Sequence, residues 1–174
     1  MPDASALTRA ESLIASIPDY PKPGIVFRDI TPLLMDAAAL RTVVEALVEP
    51  FAGRFDAVAG VEARGFLLAG AAAMVANVGL MPIRKAGKLP RPAARVEYDL
   101  EYGSASIEMH DDHAAGARVL LLDDVLATGG TLAAGRELLQ TVGSEVVGIA
   151  TLLEIDGLGG RYVLGGDVHA VFHV

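Results

Sequence analysis

The stretch from Val119 to Thr131, VLLLDDVLATGGT, restricts what this chain can fold into more than any other part of its sequence. Its apolar run, Val119 to Leu122, is typical of a buried parallel strand, which we expect to end at Asp123 and Asp124. A helical apolar pattern begins directly after Thr131. The stretch therefore predicts a strand, a loop and a helix in that order, which is the repeating unit of a parallel α/β sheet.

The loop of this unit is made of small residues, namely Ala127, Thr128, Gly129, Gly130 and Thr131. Small residues let backbone N–H groups approach an anion closely, and the start of a helix adds a partial positive charge, so the loop suits a phosphate monoester. Two carboxylates beside it would repel a polyphosphate, but they can accept hydrogen bonds from neighbouring ribose hydroxyls. The stretch therefore predicts a site for a ribose 5-phosphate.

Two familiar nucleotide-binding loops fit this stretch poorly. The chain has no Gly-Lys-Ser or Gly-Lys-Thr, which excludes a Walker A loop, and no G-x-G-x-x-G follows a strand, which argues against a dinucleotide site. One alternative stays open at this point. In it, Asp123 and Asp124 are only a solvated strand end, and the glycines only begin a helix.

Composition favours one domain of α/β type. The chain has 174 residues, the size of a single domain, and 52% of them are apolar, enough for a full core. Only 5% are aromatic, so the core must be built mainly from Ala, Val, Leu and Ile, as in helices packed on a parallel sheet. We expect a single domain over residues 1–174, with a doubly wound, mainly parallel sheet flanked by helices.

The net charge of −8 argues against nucleic acid as a partner, because such binding needs a basic surface. An anionic substrate must then be held by local positive groups. The first residues lack the basic region and apolar core that are typical of a signal peptide. The Ala-rich run from Phe66 to Val78 is too short to span a membrane. With no cysteine, the sequence is consistent with a reducing compartment, so we expect a cytoplasmic protein without a membrane partner.

Periodicity predicts the elements of the first half. Leu7, Leu13 and other apolar residues predict a helix over 4–17, with Ser5 as its cap, before a turn rich in proline and glycine at 19–24. A strongly amphipathic helix follows over 38–52. Strands at 56–61 and 80–84 then enclose a helix at 65–78. Arg64, at the turn before that helix, is well placed to bind a pyrophosphate through bidentate hydrogen bonds from its guanidinium group.

The segment after the second of these strands carries the densest cluster of positive charge: Lys85, Lys88, Arg91 and Arg95. Interrupting glycines and prolines exclude a regular helix, so we interpret residues 85–109 as a mobile lid whose base is a hairpin of strands 96–100 and 104–109. Residues 110–113, HDDH, could hold a metal, but a polar turn is the favoured interpretation. Further strands are expected at 145–154, 162–164 and 168–172.

Four more blocks accompany the phosphate-type loop: FRDITPLL at 27–34, VEARGF at 61–66, IRKAGKLP at 83–90 and LEYG at 100–103. Together they resemble, in order, the blocks of the type I phosphoribosyltransferases, and within them the adenine phosphoribosyltransferase family. The resemblance covers most of the chain. It implies a type I phosphoribosyltransferase fold with a small N-terminal hood over residues 1–34.

The resemblance further implies an activity. Enzymes of this family serve purine salvage by transferring the 5-phosphoribosyl group from phosphoribosyl pyrophosphate to adenine, giving AMP and pyrophosphate. They use Mg²⁺, which we expect to be held by substrate oxygens and water without direct protein ligands. The family resemblance also suggests a homodimer.

The resemblance assigns residues to the two halves of phosphoribosyl pyrophosphate. Asp123 and Asp124 would hold the ribose hydroxyls, and residues 127–131 would bind the 5-phosphate. The matching pyrophosphate loop of the family contains a strained peptide, which implies a cis bond between Glu62 and Ala63. Where family members commonly have Gly-Pro, this chain has Arg91 followed by proline. The positions implied for pyrophosphate binding are Arg64, Arg84, Lys85 and Lys88.

The remaining assignments concern catalysis and the base. Glu101 would handle the proton that adenine loses, and Arg64 would stabilise the leaving pyrophosphate. Main-chain groups would meet the edge of the base, while two side chains cover its faces. The positions implied for adenine binding are Val26, Phe27, Arg28 and Ile155.

Two alternatives remain open from the sequence. The acceptor base could instead be hypoxanthine, uracil or orotate. The chain could also be a regulator that senses phosphoribosyl pyrophosphate without turning it over. A regulator of that kind would need a DNA-binding extension or a basic face, and this chain has neither while it keeps Glu101.

Overall fold

A computed structural model of the chain describes residues 3–99, 104–111, 115–165 and 168–174. The chain divides into two compact units, Met1–Ala46 and Leu47–Val174, each of which is described by itself. Among the described residues, no helix combines the length and the apolar character that are needed to cross a bilayer.

The first unit is built from three helices and a two-stranded antiparallel sheet. Ile17 of the first strand is opposite Phe27 of the second. The third helix continues two residues into the second unit. The elements are α1 (Ala4–Ser12), β1 (Ala15–Pro18), β2 (Val26–Asp29), α2 (Thr31–Met35) and α3 (Ala37–Val48).

The predicted helix over 4–17 is wrong in its last turn. Helix α1 ends at Ser12, and Ala15–Pro18 forms β1 instead, because its backbone pairs with β2. The helix begins at a different cap as well, since the Asp3 side chain, not that of Ser5, accepts a hydrogen bond from the backbone at the N-terminus. The apolar spacing of this stretch suits both a helix and a paired strand.

The second unit contains a seven-stranded sheet in the order β5-β6-β4-β3-β7-β8-β9. Strands β4, β3, β7, β8 and β9 run parallel, and the β5–β6 hairpin is antiparallel at one edge. The elements are β3 (Ala57–Val61), α4 (Arg64–Ala76), β4 (Gly79–Lys85), β5 (Ala94–Asp99), β6 (Ser104–Met109), β7 (Arg118–Leu126), α5 (Gly130–Thr141), β8 (Glu145–Glu154), α6 (Gly160–Leu164) and β9 (Val168–His173). The predicted mainly parallel α/β sheet is confirmed.

Helices α4 and α5 cover opposite faces of this sheet. A Cβ added at Gly60 of β3 would lie 2.6 Å from Ala69 of α4, whereas one at Gly135 of α5 would lie 3.3 Å from Leu121 of β7. Gly60 is paired with Leu122, the neighbour of Leu121, so the two contacts lie on opposite faces. Strands β3 and β7 are therefore buried on both sides, which explains the continuous apolar run before Asp123.

Three of the differences from the prediction have a clear physical cause. Strand β7 continues through Asp123 to Leu126, because it stays paired with β8 up to Glu154. The helix predicted over 38–52 ends at Val48 and continues as a 3-10 turn, since Pro50 has no N–H for the α-helical ladder. Residues 162–164, predicted as a strand, belong to the short helix α6, which lies between the left-handed residues Gly159 and Gly165.

Candidate active site

The carboxyl ends of β3, β4 and β7 meet at a cleft of about 580 Å³. Parallel strands bring their carboxyl ends to one edge of a sheet, which is where ligands of doubly wound folds bind. The cleft is lined by Glu62, Ala63, Arg64, Lys85, Ala86, Tyr98, Ala105, Ser106, Asp123, Asp124 and Thr131. The structure thus brings together five of the residues singled out from the sequence: Arg64, Lys85, Asp123, Asp124 and Thr131.

Two of the carboxylates that line the cleft are buried in β7, with 8% of Asp123 and 6% of Asp124 exposed. They fit there because Gly65 at the start of α4 has no side chain; a Cβ on it would lie 2.9 Å from Asp123 Oδ1. The same Oδ1 accepts a hydrogen bond of 2.9 Å from the Asp124 N–H. Burial raises the pKa of Asp123 well above its usual 3.8, and the neighbouring Asp124 charge raises it further.

Arg64 is the first residue of α4, and its guanidinium turns back over the acidic pair. Its Nη2 lies 2.6 Å from Asp124 Oδ2, an ionic contact that lacks the alignment of a hydrogen bond, and a third of its side chain is exposed. The peptide bond between Glu62 and Ala63, just before the helix, is cis, as the family resemblance implied. Arg64 therefore joins the acidic pair to the open cleft.

The loop of small residues encloses a second, smaller cavity of about 110 Å³, lined by Asp123, Val125, Leu126, Ala127, Thr128, Gly129, Gly130, Thr131 and Leu132. Asp123 and Thr131 line both cavities. Gly129, the residue before α5, has a left-handed φ of 86°, which favours glycine. The loop and the cleft are therefore adjacent, as a sugar phosphate with a second anionic group would require.

Residues beyond β8 pack behind this loop. A Cβ on Gly160 of α6 would lie 2.2 Å from the carbonyl oxygen of Ala127, and the Ile155 N–H donates a 2.9 Å hydrogen bond to Leu126 O. Nothing in the sequence pattern indicated this support for the loop. Ile155, implied as an adenine contact, is half-buried and attached directly to the strand end that leads into the loop.

The basic segment after β4 is held by a carboxylate. Glu62 Oε2 accepts a 3.0 Å hydrogen bond from the Lys85 N–H and lies 3.4 Å from Arg84 Nε. Arg84 also donates to the carbonyl oxygen of Lys88 at 3.3 Å. Of the four basic positions implied for pyrophosphate, Arg64 and Lys85 line the cleft, while Arg84 supports the turn that carries Lys88.

Two functional candidates in the hairpin were missed. Tyr98 lines the cleft, and its hydroxyl accepts a 3.4 Å hydrogen bond from Thr131 Oγ1. Glu108, a charged residue of β6, is fully buried. The hairpin itself contributes Val96 and Ile107 to the main core, so its strands form part of the sheet. Closure of residues 85–109 as a lid stays a prediction.

The base-binding positions of the first unit lie on β2. The Phe27 ring is partly buried and meets the ring of Tyr20 edge to face, with centroids 5.3 Å apart. Arg28 donates a hydrogen bond to the Ser16 hydroxyl across the two-stranded sheet, and 45% of Val26 is exposed. The strand pairing thus fixes the backbone on both sides of Phe27.

Two sequence interpretations fall on undescribed parts of the chain. Glu101 lies outside the described residues, and so do Asp112 and His113 of the possible metal cluster. Among the residues that the structure does describe, no group of three or more His, Cys, Asp or Glu side chains has an arrangement suited to a metal ion.

The comparisons with known proteins agree with this geometry. The family model described as a phosphoribosyl transferase domain matches residues 34–164. An adenine phosphoribosyltransferase of Renibacterium salmoninarum is 58% identical, over 95% of this chain and 91% of its own length. The structure of the Rhodothermus marinus adenine phosphoribosyltransferase is similar with a TM-score of 0.91 and 45% identity, covering 99% of this chain and 100% of that one.

A further solved structure, the enzyme of Giardia lamblia in complex with 9-deazaadenine, has a TM-score of 0.89 and 38% identity, covering 97% of both chains. These matches cover nearly the whole length of the chain and so reach well beyond the phosphate loop. The chain therefore belongs to the phosphoribosyltransferases and, within them, to the adenine phosphoribosyltransferase family.

Proposed function

We propose that this enzyme transfers the 5-phosphoribosyl group from phosphoribosyl pyrophosphate to adenine, forming AMP and pyrophosphate in purine salvage. The observation that carries the proposal is the adjacency of two cavities that share Asp123 and Thr131, one a phosphate-type loop and the other a cleft with Arg64 and Lys85. A ribose that spans them would place its 5-phosphate in the first cavity and its pyrophosphate in the second.

The buried acidic pair supports the ribose assignment. Asp123 and Asp124 are acceptors fixed by the strand and by the close packing of Gly65, so they can receive hydrogen bonds from neighbouring hydroxyls without reorganising. Residues 127–131, with Gly129 at the start of α5, would take the 5-phosphate on backbone N–H groups. Arg64 and Lys85, supported by Arg84 and Lys88, would hold the pyrophosphate.

The reaction forms one bond and breaks one. N9 of adenine bonds to C1 of the ribose, while the C1–O bond to pyrophosphate breaks and its electron pair leaves with the pyrophosphate. Positive groups at the cleft stabilise that developing charge, which is the main task of the protein in such a transfer. Adenine also loses its N9 proton, and we assign Glu101 to hold or steady that proton, because it follows the strand that carries Tyr98 into the cleft.

The residues of the cleft fit Mg²⁺ as the cofactor. Carboxylate, hydroxyl and phosphate oxygens are the hard ligands that this ion prefers, and Asp123 and Asp124 would hold it through ribose hydroxyls and water. When bound, Mg²⁺ neutralises charge on the pyrophosphate that departs. Arg64 supplies the protein's own charge at the same end of the cleft.

Adenine recognition would involve β2. Main-chain groups at Val26 and Arg28 would meet N6 and N1 of the base, and the Phe27 ring would cover one of its faces. The antiparallel pairing with β1 supports this assignment, because it fixes the backbone on both sides of Phe27. We further propose one phosphoribosyltransferase domain over residues 1–174, with residues 1–34 as the hood segment and 85–109 as the lid.

We also propose a cytoplasmic homodimer. Helix α4 carries exposed apolar side chains on its outer side, with 54% of Leu67, 83% of Met74 and 40% of Val75 accessible to solvent. Exposed apolar side chains grouped on one helix are typical of an interface. Sedimentation of the wild type and of Met74→Glu tests this: the variant should shift toward the monomer, and an unchanged mass would exclude α4 as the contact.

Base competition tests the proposed reaction. Adenine presents an N6 donor and an N1 acceptor, and hypoxanthine presents the opposite pair, so one fixed backbone edge cannot pair with both. We expect kcat/KM for adenine to exceed that for hypoxanthine by roughly 10⁴-fold or more. Phe27→Ala should weaken the binding of all purines alike, because stacking on the ring face does not depend on the hydrogen-bonding groups at the edge of the base.

Other outcomes separate the alternatives. Comparable kcat/KM for adenine and hypoxanthine would exclude the adenine assignment and leave phosphoribosyl transfer intact. Binding of phosphoribosyl pyrophosphate without turnover of any base would instead favour the sensing regulator.

A further inference from the structure

Glu108 has no part in the chemistry described so far, yet it is the most deeply buried carboxylate among the described residues, with 0% of its surface exposed. It lies on β6, at the side of the cleft where the basic segment leaves β4. Buried carboxylates are rare unless their oxygens have partners. Its partners therefore indicate what it is there to do.

The described partners of the Glu108 carboxylate belong to the segment that follows β4. Its Oε1 accepts hydrogen bonds of 2.8 Å from the backbone N–H groups of both Lys88 and Leu89, and its Oε2 accepts one of 2.8 Å from Arg95. The Leu89 N–H, with help from Arg95 and nearby N–H groups, lowers the pKa of Glu108 to about 2 despite its burial. The carboxylate is thus a charged anchor point for the turn between β4 and β5.

A second carboxylate holds the other end of the same turn. Glu62 accepts from the Lys85 N–H, and Arg84 bridges Glu62 to the carbonyl oxygen of Lys88. Between these points, the Ala86 N–H donates a 2.9 Å hydrogen bond to Ser106 O. Residues 84–89 are therefore fixed at both ends and in the middle, although glycine and proline interrupt the segment.

We propose that Glu108 is a positioning residue for pyrophosphate, which it serves by holding the backbone of Lys88 and Leu89 so that the basic turn is ordered before the ligand arrives. The inference rests on the proposed function, which assigns pyrophosphate to Arg64 and Lys85 with Arg84 and Lys88 in support. A flexible cationic loop would lose conformational freedom on binding, whereas an anchored one has already lost it on folding. Glu108 touches none of the reacting atoms, so its effect is confined to one end of the substrate.

Two ligands that each report one end of the substrate test the proposal. Calorimetric titration with Mg²⁺ and pyrophosphate should show affinity reduced about tenfold or more in Glu108→Gln, because one charged anchor is lost. The affinity for ribose 5-phosphate, which the loop at 127–131 binds, should stay within twofold. Hydrogen exchange at Lys88 and Leu89 should accelerate in the same variant.

A second variant and a control keep the result decisive. Glu108→Asp serves if Glu108→Gln does not fold. It keeps the charge but moves the carboxylate away from the two N–H groups by one methylene, so it should also weaken pyrophosphate binding and leave ribose 5-phosphate binding unchanged. Asp56→Asn removes the exposed pair with Arg118, formed at the amino ends of β3 and β7, and should change neither affinity.

Pyrophosphate affinity within twofold of the wild type would overturn the proposal. Equal weakening of pyrophosphate and ribose 5-phosphate would also overturn it, since that pattern indicates a general structural defect. If the wild type binds both ligands but does not convert adenine, the proposed function fails, while the comparison of Glu108 variants still decides this inference.

Discussion

Arg64 Nη2 lies 2.6 Å from Asp124 Oδ2 in the cleft. The side chain that we assign to the leaving group therefore contacts one that we assign to the ribose. Because Asp124 is buried and Arg64 is only partly so, the carboxylate keeps the guanidinium at the mouth of the cleft. Substrate hydroxyls and pyrophosphate would then meet partners that already hold each other in place.

Replacing both Asp123 and Asp124 by Asn tests the acidic pair. The side chains keep their size but lose the charge that strengthens hydrogen bonds from ribose hydroxyls and the contact with Arg64. Hydrogen bonds to charged groups are worth about 1.5–3 kcal/mol, so kcat/KM should fall roughly 10²-fold or more. Steady-state kinetics measures the loss, and circular dichroism should show a retained fold. Unchanged kcat/KM would remove the pair from the site.

Asp123→Asn alone should stabilise the free protein at neutral pH. Because burial raises the pKa of Asp123 above 3.8, the folded state binds this proton more tightly than the unfolded chain does. This tighter proton binding by folded Asp123 adds to the free energy of unfolding. The added stability is fully present below pH 3.8, and it is lost as the pH rises through the higher pKa of the folded state. Asn has no carboxyl group to ionise, so the variant does not lose stability in this way as the pH rises.

Urea denaturation of wild type and Asp123→Asn at several pH values measures this difference. The advantage of the variant should be largest at neutral pH and should shrink as the pH is lowered toward 3.8. A difference that does not change with pH would contradict the burial argument. The same variant should be less active, so at this position stability and function are opposed.

Gly160→Ala should displace the backbone of the phosphate loop, against which Gly160 packs. Its Cβ would lie 2.2 Å from Ala127 O and 2.7 Å from Leu126 Cδ1, so the loop backbone must shift. A misplacement of about 1 Å can cost roughly 10²-fold in rate, and we expect a loss of that order in kcat/KM for phosphoribosyl pyrophosphate.

Gly79→Ala is the matched control for this prediction. Gly79 begins β4, at the end of that strand away from the cleft, and an added Cβ would meet only Ala57 Cβ at an ordinary 3.9 Å, so the change should leave kinetics unaltered. Equal kinetics for Gly160→Ala and the wild type would show that the loop does not depend on α6.

Glu101→Ala should lower kcat roughly 10²–10⁴-fold, the usual range for general acid–base catalysis, with little change in stability. Glu97→Ala is the control, because Glu97 is an exposed carboxylate on β5 of the same hairpin, outside the cleft. A loss of only a few-fold for Glu101→Ala, or an equal loss for both variants, would leave Glu101 as a solvated carboxylate.

Much of the sheet could be predicted because each parallel strand is encoded locally. The run before Asp123 is apolar without interruption, since both faces of β7 are covered, and the loop after it is marked by its glycines. The strand at 145–154 was predicted with the bounds that the structure has. Arg64 and Lys85 could be found because they lie at or just beyond the carboxyl ends of such strands.

The remaining features depend on partners that are distant in sequence. Ile17 fits the face of a helix, and only its pairing with Phe27 makes it part of a strand. Glu108 alternates correctly as a polar residue of β6, and nothing local reveals that residues 88–95 cover it. The support that Gly160 gives to Ala127 likewise joins two backbone segments that no side-chain pattern connects.

The order of strands also leaves the two edges of the sheet unequally protected against aggregation. Edge strand β5 presents the charged side chains of Arg95 and Glu97, which discourage a second chain from pairing with it. Edge strand β9, Val168–His173, contains no Lys, Arg, Asp or Glu, so its own side chains carry no fixed charge against the addition of another strand. Aggregation on heating should therefore begin at β9, and a lysine introduced on that strand should delay it without touching the cleft.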